Sequence, residues 1–169
     1  MDVVSQLPKL EMLMLGHNSI SAFEGSFARL KVLYLNHNPV TRFDLNAPVP
    51  TLSVLNLASA KLSQLPDALF MKMSNLTKLT ISKNHFVSLS PHFGNMLKLE
   101  YLSIAKNELQ RMPAEVGRLT ELRYLDVREN NLSSLPPEIW LAKRLETLNL
   151  SSNVLSDFPK PGNPLPAVP

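Results

Sequence analysis

The sequence predicts an α/β solenoid, with a curved parallel β-sheet on the concave side and turns and short helices on the convex side. Three observations carry that prediction: an apolar pattern that recurs, an asparagine at a fixed place in it, and prolines that follow the same period. Taking Leu10, Leu13, Leu15, Asn18 and Ile20 as the template, the pattern starts again at Leu30, Leu52, Leu76, Leu99, Leu122 and Leu145. The intervals are 20, 22, 24, 23, 23 and 23 residues. A period in this range means that each copy is one structural unit that stacks on its neighbours to bury a shared core.

Each part of the unit has a physical reading. Two leucines separated by one residue put their side chains on one side of a short strand and the intervening residue on the other. Successive copies can then pair side by side in parallel. The asparagine sits where the chain leaves the strand, and its amide can donate to and accept from backbone groups that the turn leaves unpaired. Asn18, Asn38, Asn84, Asn107, Asn130 and Asn153 should therefore form a ladder. Ala60 occupies the same slot in the third copy, which predicts a local weakness of roughly 1–3 kcal/mol if the turn groups stay unsatisfied.

Pro66, Pro113, Pro136 and Pro159 each fall six residues after the ladder position, and Pro91 falls seven after Asn84. They mark the outward return of the chain. In the longer copies the return should carry short helical pieces, such as residues 67–73 and 137–143, whereas the 20-residue first copy has room only for a turn or extended chain. Phe23, Phe27, Phe43, Phe70, Phe86, Phe93, Trp140 and Phe158 are expected to fill the space between the two sides.

On this reading residues 10–158 hold seven repeats. Residues 1–9 contain Leu7-Pro8 and read as the end of a truncated preceding repeat, with no evident cap for the first strand. The stretch 159–169 has five prolines and reads as a Pro-rich linker. A segment cut from a longer protein is the expectation.

Composition narrows the function. The 169 residues are 44% hydrophobic and 18% charged, enough for one domain with a substantial core. Seventeen Lys and Arg against fourteen Asp and Glu leave +3, and these charges are scattered, so no nucleic-acid stripe is formed. The absence of Cys removes disulfides, thiolate metal sites and a cysteine nucleophile, and leans towards a reducing cytosol. No stretch qualifies as a membrane span or a signal peptide. The four histidines form no metal-binding or catalytic motif, and no phosphate loop or nucleophile elbow is present. Catalysis, cofactor and metal are therefore not expected in this segment. His17 and His37 share a column about 4.8 Å apart, but without a third ligand they read as exposed neighbours. The triplets at Asn75, Asn131 and Asn149 fit glycosylation acceptors, yet the repeat itself generates them and they read as unglycosylated.

Function should then lie on the open sheet face. Its columns follow from the template: Met12, Val32, Val54, Lys78, Tyr101, Tyr124 and Thr147, then Met14, Tyr34, Asn56, Thr80, Ser103, Asp126 and Asn149. Three zones result: an apolar and aromatic start, a middle that is small and basic with Lys78, Lys83 and Lys106, and an end that mixes Tyr124, Asp126, Arg128 and Glu129. Tyr, Met and Arg are residues that protein interfaces favour. The candidate partner-binding residues are Tyr34, Lys78, Lys83, Tyr101, Lys106, Tyr124, Asp126 and Arg128. Met12, Met14 and Val32 have two readings, part of an interface or neighbours of a missing repeat.

The unit L-x-x-L-x-L-x-x-N-x-L, followed by Leu-Pro as in Leu135-Pro136, resembles the intracellular leucine-rich repeats of the L-P type over residues 7–159. The last two repeats, LRYLDVRENNLSSLPPEIWLAKRLETLNLSSNVLSDFPKP, with the exit PGNPLPAVP, are most similar to the repeat region of fungal adenylate cyclases. That resemblance implies a large cytosolic, membrane-associated enzyme making cAMP, in which the repeats dock Ras-type GTPases and a separate catalytic domain uses ATP and Mg. A scaffold of similar repeats in a Ras-pathway or protein phosphatase signalling protein is the alternative.

Overall fold

A computed structural model of the chain describes residues 7–25 and 27–161. Most of the two terminal segments, the expected end of a preceding repeat and the Pro-rich linker, lies outside the described residues. Among the described residues nine strands follow in chain order: β1 (Met12–Met14), β2 (Ala22–Gly25), β3 (Val32–Tyr34), β4 (Arg42–Leu45), β5 (Val54–Asn56), β6 (Lys78–Thr80), β7 (Tyr101–Ser103), β8 (Tyr124–Asp126) and β9 (Thr147–Asn149). Seven of them, in the order β1-β3-β5-β6-β7-β8-β9, make one parallel sheet. The fold is a leucine-rich repeat solenoid.

The L-x-L pattern explains the register. The central leucines Leu13, Leu33, Leu55, Leu79, Leu102, Leu125 and Leu148 face one another in a row, and the five from Leu33 to Leu125 are essentially without solvent contact. Behind them the core is filled by Phe27, Phe43, Phe70, Phe86 and Phe93 together with Leu, Ile and Met side chains. Burying each such side chain contributes roughly 1.5–3 kcal/mol, which a single repeat could not collect alone.

The convex side changes character along the array, as the repeat lengths require. In the two short repeats the return is extended, and β2 and β4 pair as a second, two-stranded parallel sheet, with Phe23 stacked on Phe43 at a centroid distance of 5.6 Å. From the third repeat on, the return is helical: α1 (Leu69–Lys72), then 3₁₀ turns at Pro91–Asn95, Ala114–Arg118 and Pro137–Leu141. The helical pieces expected at 67–73 and 137–143 are thus shorter than the sequence suggests. Helical returns need more room than strands about 4.8 Å apart, so the array curves with the long sheet inside.

Consecutive 3₁₀ turns pack so closely that glycine is required. A Cβ on Gly94 would lie 2.9 Å from the Glu115 side chain, and one on Gly117 would lie 2.9 Å from the Glu138 carbonyl. Trp140 holds the equivalent place in the last turn, where its indole Nε1–H donates to the Pro159 carbonyl at 2.8 Å and its ring meets Phe158 edge-on at 5.9 Å. Trp140 and Phe158 are 42% and 43% exposed, so they lie on the surface and not between the two sides as their aromatic character predicts. The space between the two sides is already filled in that repeat by Leu132, Leu135 and Ile139.

Candidate functional site: the open face of the long sheet

Each ladder asparagine ties two repeats together. Asn107 is representative: its Nδ2 donates to the carbonyls of Ile104 and Ala105 in its own repeat and of Ile81 in the one before, at 3.0–3.2 Å, while its Oδ1 accepts the Phe86 N–H at 3.0 Å. Asn38, Asn84, Asn130 and Asn153 repeat this set. Among the described residues Asn18 bonds only within its own turn, to Leu15 and Gly16, and it is exposed.

The slot held by Ala60 does not leave the groups unsatisfied. The Val40 N–H, which an asparagine there would receive, turns back to the Asn38 carbonyl at 2.8 Å. The carbonyls of Leu35, Leu57 and Ala58 are taken by Asn38, Asn84 and the His37 N–H. The expected weak rung is closed by a tighter local turn.

Immediately before each ladder position the backbone is left-handed. His17, His37, Ser59, Lys83, Lys106, Glu129 and Ser152 all have φ between 54° and 59°. The sequence gives no sign of this, because none of the seven is glycine. The turn nevertheless fixes where Lys83, Lys106 and Glu129 stand beside the open face. His17 and His37, in that column, stack with ring centroids 4.2 Å apart. Among the described residues no cluster suited to a metal ion is present.

On the open face, register brings five of the candidate residues into one connected strip. The Lys78 ammonium lies over the Tyr101 ring, 4.6 Å from its centroid. Tyr101 stacks on Tyr124 at 4.4 Å with the rings almost parallel. The Tyr124 hydroxyl donates to Asp126 at 3.4 Å, and Arg128 sits 3.6 Å from the same carboxylate. Burial, then the neighbouring Asp126 charge, holds the Tyr124 phenol above its ordinary ionisation range. Asp126 is only 3% exposed and also accepts the Arg128 backbone N–H at 3.2 Å. It thus shapes its turn, as Asn56 and Asn149 do through the N–H groups of Ala58 and Ser151.

The remaining candidates lie apart from the strip. Lys106 pairs with Glu129 at 3.6 Å, a partner that residue-by-residue reading of the sequence did not assign. Lys83 is exposed and makes no ion pair among the described residues. Tyr34 is half-buried on β3, two strands from Lys78. Beside Lys106, Arg128 and Glu129 the face has an open hollow of about 280 Å³, and a hollow of about 490 Å³ lies on the other side against β2 and β4. A broad surface with stacked aromatics suits a macromolecular partner better than an enclosed small molecule.

Comparison with known proteins agrees with this geometry. Leucine-rich repeat family models match residues 50–109 and 121–141. Among solved structures, a leucine-rich repeat protein of Leptospira interrogans superposes with a TM-score of 0.75 and 26% identity, over 89% of this chain and 45% of that one. Among curated proteins, an adenylate cyclase of Podospora anserina is 53% identical over 88 residues, or 52% of this chain. An adenylate cyclase of Mycosarcoma maydis is 36% identical over 95 residues, or 55% of this chain. The chain spans about 4% of the length of either cyclase. Its fold is that of leucine-rich repeat proteins, and its sequence resembles part of the fungal adenylate cyclases.

Proposed function

We propose that this segment is a regulatory protein-interaction module of a fungal adenylate cyclase, and that its open sheet face docks a Ras-type small GTPase or another regulator of cAMP synthesis. The observation that carries the reading is the strip from Lys78 to Arg128, with two stacked tyrosines at its centre, on a chain similar to adenylate cyclases. Rigid aromatic surface beside charged groups is what protein interfaces use as anchors. ATP, Mg and the chemistry that makes cAMP belong, on this reading, to a catalytic domain elsewhere in the parent. The module works in the cytoplasm, with the parent peripheral to the plasma membrane. Among the described residues no helix is long and apolar enough to cross a membrane.

The test is a titration of this chain with a Ras-type GTPase loaded in turn with a GTP analogue and with GDP. Binding restricted to the GTP form is expected, and Tyr101→Ala combined with Lys106→Ala should weaken it at least about tenfold, or about 1.4 kcal/mol. Absence of binding in both states would move the assignment to a scaffold for a different signalling partner. Binding that survives the double substitution would remove the open face as the docking surface.

A further inference from the structure

We infer that the open face selects an acidic amphipathic segment of its partner, anchored by apolar side chains over β1, β3 and β5 and by carboxylates over Lys78 and Lys83. This rests on the reading that the open face is a protein-docking surface. One straight column of the sheet runs Met12, Val32, Val54, Lys78, Tyr101, Tyr124, Thr147. Its first three members, with Met14 and Tyr34 in the adjacent column, form an apolar patch. Met12 and Met14 are 58% and 55% exposed, and Val32, Tyr34 and Val54 are half-buried. Methionine adapts its shape to varied apolar partners, which suits such a patch to docking.

The charge on the same face is distributed unevenly once ion pairs are taken into account. Arg128 is neutralised by Asp126 and Lys106 by Glu129, at 3.6 Å each. Lys78 and Lys83 have no carboxylate partner among the described residues, and the Tyr101 ring steadies the Lys78 ammonium without cancelling its charge. Of the cations left to attract a partner, Lys78 is the register neighbour of Val54 at the edge of the apolar patch and Lys83 stands in the turn after the same strand, whereas Arg128 at the far end is already paired. Val32 and Lys78 are two strand spacings apart, about 10 Å, which matches about seven residues of a helix. A segment presenting leucine-type side chains with carboxylates one to two helical turns away fits both patches at once.

The test uses the full chain and a fluorescein-labelled helical peptide of about fourteen residues, with two leucines one turn apart and two glutamates further along. Two control peptides carry lysine in place of the glutamates or serine in place of the leucines. By fluorescence anisotropy the first peptide should bind, both controls at least about tenfold more weakly, and binding should fall as salt is raised. Lys78→Glu with Lys83→Glu should abolish binding, while Lys98→Glu with Lys143→Glu, at exposed positions away from the sheet strands, should change it by less than about twofold. Equal binding of all three peptides, binding of none, or indifference to the double lysine reversal would overturn the inference. Peptide binding without GTPase binding would retire the Ras-type partner alone. GTPase binding that ignores Lys78 and Lys83 would retire this inference alone.

Discussion

Asn107 shows how much of the array hangs on single side chains. Its amide serves four backbone groups of two repeats; the carbonyls of Ile81, Ile104 and Ala105 are also reached by Asn84, Asn130 and the Lys83 N–H, whereas the Phe86 N–H depends on Asn107. Asn107→Ala should lower stability by roughly 1–3 kcal/mol in chemical denaturation, and an unchanged midpoint would contradict the ladder. Asn107→Asp should also destabilise, since it keeps the acceptor and removes the donor. The left-handed column makes the opposite prediction. A non-glycine residue there costs of the order of 1 kcal/mol, so Ser59→Gly, where the side chain makes no hydrogen bond among the described residues, should hold or raise the midpoint. The ladder was legible because asparagine recurs at a fixed offset. The left-handed turn was not, because His, Ser, Lys and Glu all occupy it and the strain is held by the hydrogen bonds around it. Tyr124 adds a dependence on pH. Its phenol ionises at higher pH in the folded chain than in the unfolded one, so its contribution is complete below about pH 10 and is lost as the pH rises through the folded value. Tyr124→Phe should flatten the alkaline arm of a stability profile, and an identical arm would contradict the assignment.

At the scale of elements, repeat length decides what the convex side can be. The sequence showed that the early returns are too short for helix, but not that β2 and β4 would find each other, because strand pairing depends on the neighbouring repeat having the same shortage of chain. Phe43, buried and stacked on Phe23, holds that small sheet to the core, and Phe43→Ala should cost about 3–5 kcal/mol. A loss under 1 kcal/mol would mean the small sheet is not coupled to the core. At the other end, aromatic character alone could not tell Trp140 and Phe158 from core residues. What distinguishes them is position: Gly94 and Gly117 show that this column is crowded by the following turn, whereas Trp140, in the last of these turns, meets Phe158 and Pro159. Trp140 is the one tryptophan in the chain, so its emission reports on this contact. Phe158→Ala should make it more accessible to iodide quenching while the circular dichroism of the array stays the same; unchanged quenching would contradict the contact.

For the whole molecule, the parallel sheet turns a linear pattern into a graded surface. Register carries the column assignments of the sequence directly onto the open face, which is why the places of Tyr101, Tyr124, Lys78 and Asp126 on that face were legible in the sequence. Charge balance was not identifiable, because the pairs Arg128–Asp126 and Lys106–Glu129 depend on side-chain reach within and between repeats. A net charge of +3 spread over the chain says little by itself. Its local distribution says that a partner meets aromatic and apolar surface first and two uncompensated lysines beside it. The central claim is that this face, and not the convex side, receives the partner. Lysine-reactivity footprinting of the chain, alone and with a saturating GTP-loaded Ras-type GTPase, tests it most directly. The account predicts strong protection of Lys78 and Lys83 while Lys98 and Lys143, exposed away from the sheet strands, keep their reactivity. Protection of Lys98 and Lys143 with Lys78 and Lys83 still reactive would contradict it.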